Sequence, residues 1–295
     1  MELDNILKQI YPDENQMNCL SGIVSSIGNI LKNGSNYLKI KKVTPAGSLS
    51  KKTILKNHLE VDCVYILEHN GYSYNNNFLE VQRVLKENLP RETIFKIGSH
   101  SISFELNKRI GCVFVDLLPA FEVNNPSQIS EVKNRDAYYG STSLLQKKYF
   151  LNIIQNYSRF SDLVRLLKLW KNIRDIPLTS YMLELIVSNA IHNTEKNQSF
   201  AFFLEMCFRT IQSFTDGRPI IPVYWEKYFD NSNINFKFSK NNLWIIDPSD
   251  PSENIAEDIS DEEKYYIHSE AINGVNNKHN NNYVFLYNKV YPNVA

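Results

Sequence analysis

No stretch of this 295-residue sequence approaches the ~18 uncharged apolar residues that a membrane-spanning helix needs, so no membrane partner is expected. An excess of charge of either sign is missing too: Lys and Arg number 32, as do Asp and Glu, and the formal net charge is zero. A dedicated nucleic-acid binder carries a basic excess, because neutralising phosphates takes Lys and Arg. Long duplex contacts are therefore disfavoured, although a local basic groove is not. Cysteine is sparse. Cys19, Cys63, Cys112 and Cys207 form no C-x-x-C pair and stand near no His at zinc-ligand spacing, which argues against a structural zinc site and for scattered reduced thiols. The opening Met1-Glu2-Leu3-Asp4 lacks the basic region and apolar run of a secretory leader. There is no internal repeat. These absences lead to the expectation of a soluble, cytoplasmic protein.

What is present is globular in character. Hydrophobic residues make up 43% and charged residues 22%, enough apolar material for a core, and the length suits one large domain or two packed lobes. Apolar positions from Met17 to Leu31 recur at helical spacing, with Asn33-Gly34 as a stop. Residues 37–43 alternate like a strand, Thr44 to Ser48 breaks it, and Leu49 to Leu55 can begin a helix. Val61 to Leu67 (VDCVYIL) is β-branched and aromatic and reads as a central strand. A helix over 77–88, strands at 94–97 and 101–106, and a buried strand Cys112 to Leu118, closed by Pro119, follow.

Near residue 140 the character changes. Leu144 to Trp170 has continuous helical spacing, Pro177 interrupts it, and Tyr181 to Ala190 and Phe202 to Phe214 predict two further helices. Residues 231–242 read as a loop or hairpin, Leu243 to Ile246 as a short strand, and the Asn-rich tract 276–282 as a solvated loop. The pattern is α+β: an N-terminal lobe, 1–140, containing the sheet, and a helical C-terminal lobe, 141–295.

The chemistry concentrates between Gly47 and Leu67. A Gly47-Ser48 turn is followed, after eleven intervening residues, by Glu60 and Asp62 at the start of a strand. Strand residues two apart share a face, so both carboxylates can meet one cation. Asp116, inside the apolar strand CVFVDLLP, needs a partner or a metal and is the natural third acid. Each piece alone is common; their order and spacing together are not.

Several motifs then resemble one family, the polymerase-β-type nucleotidyltransferases, in the branch of the 2′-5′ oligoadenylate synthetases, cyclic GMP-AMP synthase and the bacterial cyclic-oligonucleotide synthases. Gly47-Ser48 with Lys51 and Thr53 resembles the GS-x-x-(K/R)-x-T turn, and Glu60-Val61-Asp62 the (D/E)-x-D pair. Val115 to Phe121 (VDLLPAF) is similar to the synthetase segment VDVLPAF. The helical LVRLLKLW at 163–170, SYMLEL at 180–185 and IIDPSDPSENIA at 245–256 resemble later motifs in the same order. Lys52 stands where many relatives have a second glycine, and the zinc insertion of cyclic GMP-AMP synthase is absent.

The resemblance implies a bilobal nucleotidyltransferase fold and a set of roles. Glu60, Asp62 and Asp116 would be catalytic and hold two ions of magnesium or manganese; Gly47 and Ser48 would hold the donor phosphates. Lys168 and Ser180 would contact phosphate and Tyr181 would stack on the donor base. Arg165 and Lys171, flanking Lys168 at helical spacing, read as solvated, as does His58; Asp247 and Asn254 read as braces of a loop. The implied activity is synthesis of a cyclic oligonucleotide second messenger from NTPs (ATP, with GTP, UTP or CTP as further substrates) in antiviral or antiphage signalling. The alternatives are a double-stranded-RNA-activated 2′-5′ oligoadenylate synthetase or cyclic GMP-AMP synthase-like RNA sensor, and an inactive nucleotide-binding scaffold. A double-stranded RNA or a protein is the implied activator.

Overall fold

The computed structural model describes residues 3–35, 37, 39–68, 74–98, 100–122, 138–223, 243–279 and 283–286. The chain divides into two compact units, 11–151 and 1–10 together with 152–295. The sequence placed the division at 140/141; the helix Tyr138–Asn156 carries the chain from one unit into the other, and the N-terminal helix belongs with the helical unit.

The first unit is built on a mixed five-stranded sheet, as the α+β pattern predicts. Its strands are β1 (Ile40–Pro45), β2 (Glu60–Leu67), β3 (Phe95–Ile97), β4 (Ile102–Lys108) and β5 (Gly111–Ala120), in spatial order β1-β2-β5-β4-β3. Only the β2–β5 pairing is parallel. One face is dry. Val61, Cys63, Tyr65 and Leu67 of β2 and Val113, Val115 and Leu117 of β5 alternate onto it. They meet Leu20, Ile23, Ile27 and Leu31 of α2 (Glu14–Asn33) and Val81, Val84 and Leu85 of α4 (Tyr74–Asn88). The α2 stripe recurs every three to four residues because one face of a 3.6-residue helix must cover the sheet. Its N-terminus is fixed by a reciprocal cap: Gln16 N–H donates to the Asp13 carboxylate at 2.9 Å and Asp13 N–H to Gln16 Oε1 at 3.0 Å.

The opposite face is covered only in part. Ala46, Val64, Ile66 and Ala120 are buried there against Leu144 of α5 (Tyr138–Asn156), at the far ends of β2 and β5. Gly140 lets α5 come this close, since a Cβ at that position would collide with the Pro119 carbonyl. The near ends of the two strands carry the acids Glu60, Asp62 and Asp116, each of intermediate exposure.

Strand β5 continues through Pro119 to Ala120 instead of stopping before it. β4 pairs with β5 only up to Leu117, so by Pro119 the strand has a partner on the β2 side alone and the missing N–H is not needed. The helix expected over 49–55 is limited to α3 (Gly47–Ser50).

In the second unit, α1 (Leu3–Ile10) joins α6 (Phe160–Arg174), α7 (Ser180–His192), α8 (Phe200–Thr215) and α9 (Asp261–His279). The continuous helix expected over 144–170 is two, broken where Phe160 N–H donates to Tyr157 C=O. α6 is buried nearly all round, so it is the central helix, and Trp170 meets Phe208 edge-on at 5.2 Å. α9 takes in residues 276–279 of the tract expected to be a loop. Ile267, Ala271 and Val275 supply a buried i, i+4, i+8 stripe, and Gly274 lies against the Phe208 ring. The strand expected at 243–246 is a pair of isolated bridges, Ile220 to Ile245 and Ile246 to Asn254. Residues 231–242 and 280–282 lie outside the described residues.

Candidate active site

Alternation along β2 puts Glu60 and Asp62 on the face opposite the buried Val61 and Cys63. In the parallel β2–β5 register Asp62 stands directly beside Asp116, and Glu60 beside Phe114. Side chains at paired positions share a face, so the three predicted acids are brought onto one open patch. The β4 register extends the row: Ser103 pairs with Asp116 and donates from its hydroxyl to Asp116 Oδ1 at 2.8 Å. Lys96 of β3 pairs in turn with Ser103. One line of residues across the sheet thus reads Asp62, Asp116, Ser103, Lys96.

The field of the two aspartates is felt nearby. The Cys63 thiol is pushed up to about 12, first by burial and then by the negative charges of Asp62 and Asp116. His58 is exposed, as expected, with its Nε2 3.6 Å from Glu60 Oε2.

Next to Asp62 sits the Gly47-Ser48 turn. Ala46 N–H donates to the Asp62 carbonyl at 2.8 Å, tying the turn to the strand. Gly47 has φ +48°, in the left-handed region, and a Cβ there would collide with the Asp62 carboxylate. Glycine is required twice over, by backbone conformation and by contact. Ser48 C=O accepts from Thr53 N–H at 2.9 Å, which closes the loop on the fully buried Thr53. Lys51 is buried with Nζ 5.0 Å from the centre of the Phe150 ring, so this motif cation packs within the unit. Behind the turn, Lys147 donates to Thr44 Oγ1 at 3.1 Å and Pro45 O at 2.9 Å; burial, then Lys42, lowers its pKa.

Among the described residues no three His, Cys, Asp or Glu side chains close around one point as a ready-made metal cage. Magnesium does not require one. It is commonly held by one or two carboxylates with substrate phosphates and water completing its shell. Hard carboxylate donors side by side on an open face, next to a turn whose glycine lies against one of them, fit such an ion.

The remaining predicted residues lie in the helical unit: Lys168 on α6, Ser180 and Tyr181 at the start of α7. Lys168 is buried. Arg165, expected in solvent, is buried as well and sits 3.5 Å from Asp162; Lys171 is half-buried, which lowers its pKa. Thr179 caps α7 by accepting from Met182 N–H at 3.1 Å. The Tyr181 hydroxyl donates to Asp247 at 2.9 Å, and Asp247 also accepts from Ser249 N–H at 2.6 Å. Asn254 accepts from Ile245 N–H and donates to Leu243 C=O, at 3.0 and 2.9 Å. Asp247 and Asn254 therefore act as braces. Ser103 and Lys147 were missed from the sequence. The alternation of 101–106 places Ser103 on the polar face, but register with Asp116 is a long-range fact.

By fold the chain is similar to CdnC of E. coli MS115-1. Its structure with ATP has TM-score 0.73 at 17% identity, over 97% of this chain and 95% of that one. Its complex with HORMA-deltaN has TM-score 0.70 at 16% identity, over 96% and 93%. A mutant of the Cid1 poly(U) polymerase bound to MgATP has TM-score 0.67 at 16% identity, over 99% and 98%. No curated protein matches the sequence. Residues 124–283 match the family described as 2′-5′-oligoadenylate synthetase 1, domain 2, C-terminus, which is more than half of the chain. With that match over the helices and the nucleotidyltransferase fold over the whole, the chain belongs to the 2′-5′-oligoadenylate synthetase family of polymerase-β-type nucleotidyltransferases.

Proposed function

We propose that this chain is a metal-dependent nucleotidyltransferase that makes a cyclic oligonucleotide second messenger from NTPs, releasing pyrophosphate, in antiviral or antiphage signalling. The observation that supports this most is the register of Asp62 with Asp116, with Glu60 on the same open face beside the Gly47-Ser48 turn. Glu60, Asp62 and Asp116 would hold two magnesium or manganese ions, which when bound neutralise the triphosphate and acidify the attacking hydroxyl. The turn at Gly47 and the Ser48 hydroxyl would hold the donor phosphates. Asp116, oriented by Ser103, would accept the proton of the acceptor ribose hydroxyl as its oxygen bonds to the α-phosphorus. The bond from that phosphorus to the bridging oxygen breaks, and pyrophosphate leaves with the electron pair. From the helical unit, Lys168 and Ser180 would add phosphate contacts, and Tyr181, its hydroxyl held by Asp247, would stack on the donor base. The ATP-bound CdnC structure supports an NTP substrate, and the HORMA-deltaN complex supports a protein activator.

A second reading, a linear 2′-5′ oligoadenylate synthetase activated by double-stranded RNA, is favoured by the family match at 124–283. Incubating the chain with mixed NTPs and magnesium or manganese, with and without duplex RNA, followed by mass spectrometry, separates the two. Cyclic products without RNA are expected. Linear products formed only with RNA would select the second reading. Asp62→Asn and Asp116→Asn should each abolish turnover, as should EDTA, and wild-type turnover in either variant would refute the site.

A further inference from the structure

Helix α5 holds the first unit at two places that matter to the candidate site. At its start Gly140 lies against the Pro119 backbone. The Ser141 hydroxyl donates to Phe121 C=O at 3.1 Å and accepts from Phe121 N–H at 3.0 Å, fixing the end of the segment that carries Asp116. Two turns further on, the same helix brackets the Gly47-Ser48 turn. Lys147 donates to Thr44 Oγ1 and Pro45 C=O just ahead of it, and the Phe150 ring meets the Lys51 ammonium just behind it. Gly140, Leu144 and Lys147 fall at i, i+4 and i+7, on one face of α5.

Two neutral oxygens do not call for a lysine. Burying an ammonium even in part costs desolvation, which a carboxylate ordinarily offsets. Among the described residues no carboxylate pairs with Lys147: its acceptors are a hydroxyl and a carbonyl, and Glu122 serves Lys41 and Lys42 instead. The charge that bears on Lys147 is a second cation, Lys42, which adds to burial in lowering its pKa. An ammonium has three hydrogens to donate, and these bonds use two. An uncompensated cation, bonded two residues before Gly47, complements a ligand that brings negative charge of its own. We infer that Lys147 is a positioning residue for the donor triphosphate. It holds Thr44 and Pro45 so that the Gly47-Ser48 turn is presented to the phosphates, and it supplies a positive charge that bound phosphates balance. The assignment rests on the nucleotidyltransferase reading above and adds a residue of α5 to it.

The test uses the full chain and two probes in magnesium buffer: α,β-methylene ATP, whose α-phosphate cannot be transferred, and adenosine, which has no phosphate. Calorimetry measures both affinities. Lys147→Gln keeps a hydrogen-bond donor and removes the charge. It should weaken α,β-methylene ATP roughly 10- to 100-fold, the scale of one lost bond to a charged group, and leave adenosine unchanged. Lys147→Arg, which keeps the charge, should retain most of the wild-type affinity. In NTP turnover, Lys147→Gln should raise KM by the same factor and leave kcat nearly unchanged, a split that a merely structural role would not produce. A thermal melt checks each variant, and Lys147→Met takes the place of Lys147→Gln should the latter not fold. Unchanged triphosphate affinity, an equal loss for adenosine, or Lys147→Arg as weak as Lys147→Gln would overturn the inference. Turnover that depends on Asp62 and Asp116 but not on Lys147 removes this role and leaves the proposed function standing. Lys147-dependent triphosphate binding in a chain without turnover keeps the role in binding and overturns the proposed function.

Discussion

At the scale of single residues, the candidate site depends on small groups. Gly47 combines a left-handed backbone with contact against the Asp62 carboxylate, so Gly47→Ala meets both a conformational and a steric penalty. A loss of about 1–3 kcal/mol is expected in chemical denaturation, the usual range for a side chain forced into that region, together with loss of turnover. Ser103 orients Asp116 through one 2.8 Å hydrogen bond. Partners of ligating carboxylates commonly carry a roughly 10- to 100-fold effect on metal affinity. Ser103→Ala should therefore raise the magnesium concentration needed for half-maximal activity about tenfold, and an unchanged magnesium titration would show that the bond is structural only. Glu60, Asp62 and Asp116 were legible because alternation and chain order are local properties. Ser103 was not, because only strand register brings it to Asp116.

Elements were legible where one residue pattern decided them. The α2 stripe is such a pattern; the structure adds the Asp13–Gln16 cap, and Asp13→Ala should cost about 1 kcal/mol in an equilibrium melt. The misread elements were set by tertiary pairing. Pro119 looks like a strand terminator, yet it is tolerated where the β4 partner has already ended. α9 has an Asn-rich end and one thin apolar stripe, and contact with Phe208 at Gly274 accompanies a helix that composition alone disfavours. Arg165 looked solvated on a helical wheel, but α6 is the centre of its unit and has almost no wet side.

For the molecule as a whole, equal numbers of acids and bases give a sequence pI of about 7.0, so net charge changes sign near neutrality. Acid should destabilise the fold through specific carboxylates. Hydrogen bonds from Arg83, then Ser35, hold Glu80 down to about 2, and Lys41 and Ser260 hold Glu122 and Glu263 below their ordinary value. Each such group binds fewer protons folded than unfolded near its ordinary value of 4.5, so its contribution is complete above that pH and lost as pH falls through its folded value, about 2 for Glu80. The melting temperature should decline across that window, and Glu80→Gln should flatten part of the decline. Family membership is written in the helices, at 124–283, while the acids lie earlier, on the sheet. Within the first unit, α5 packs closely on the end of β5. Because the α-carbon of Gly140 rests on the backbone of Pro119, three residues from Asp116, a single added methyl there is a wedge between helix and strand. It offers a handle for shifting Asp116 by geometry alone, with every polar atom of the candidate site left in place.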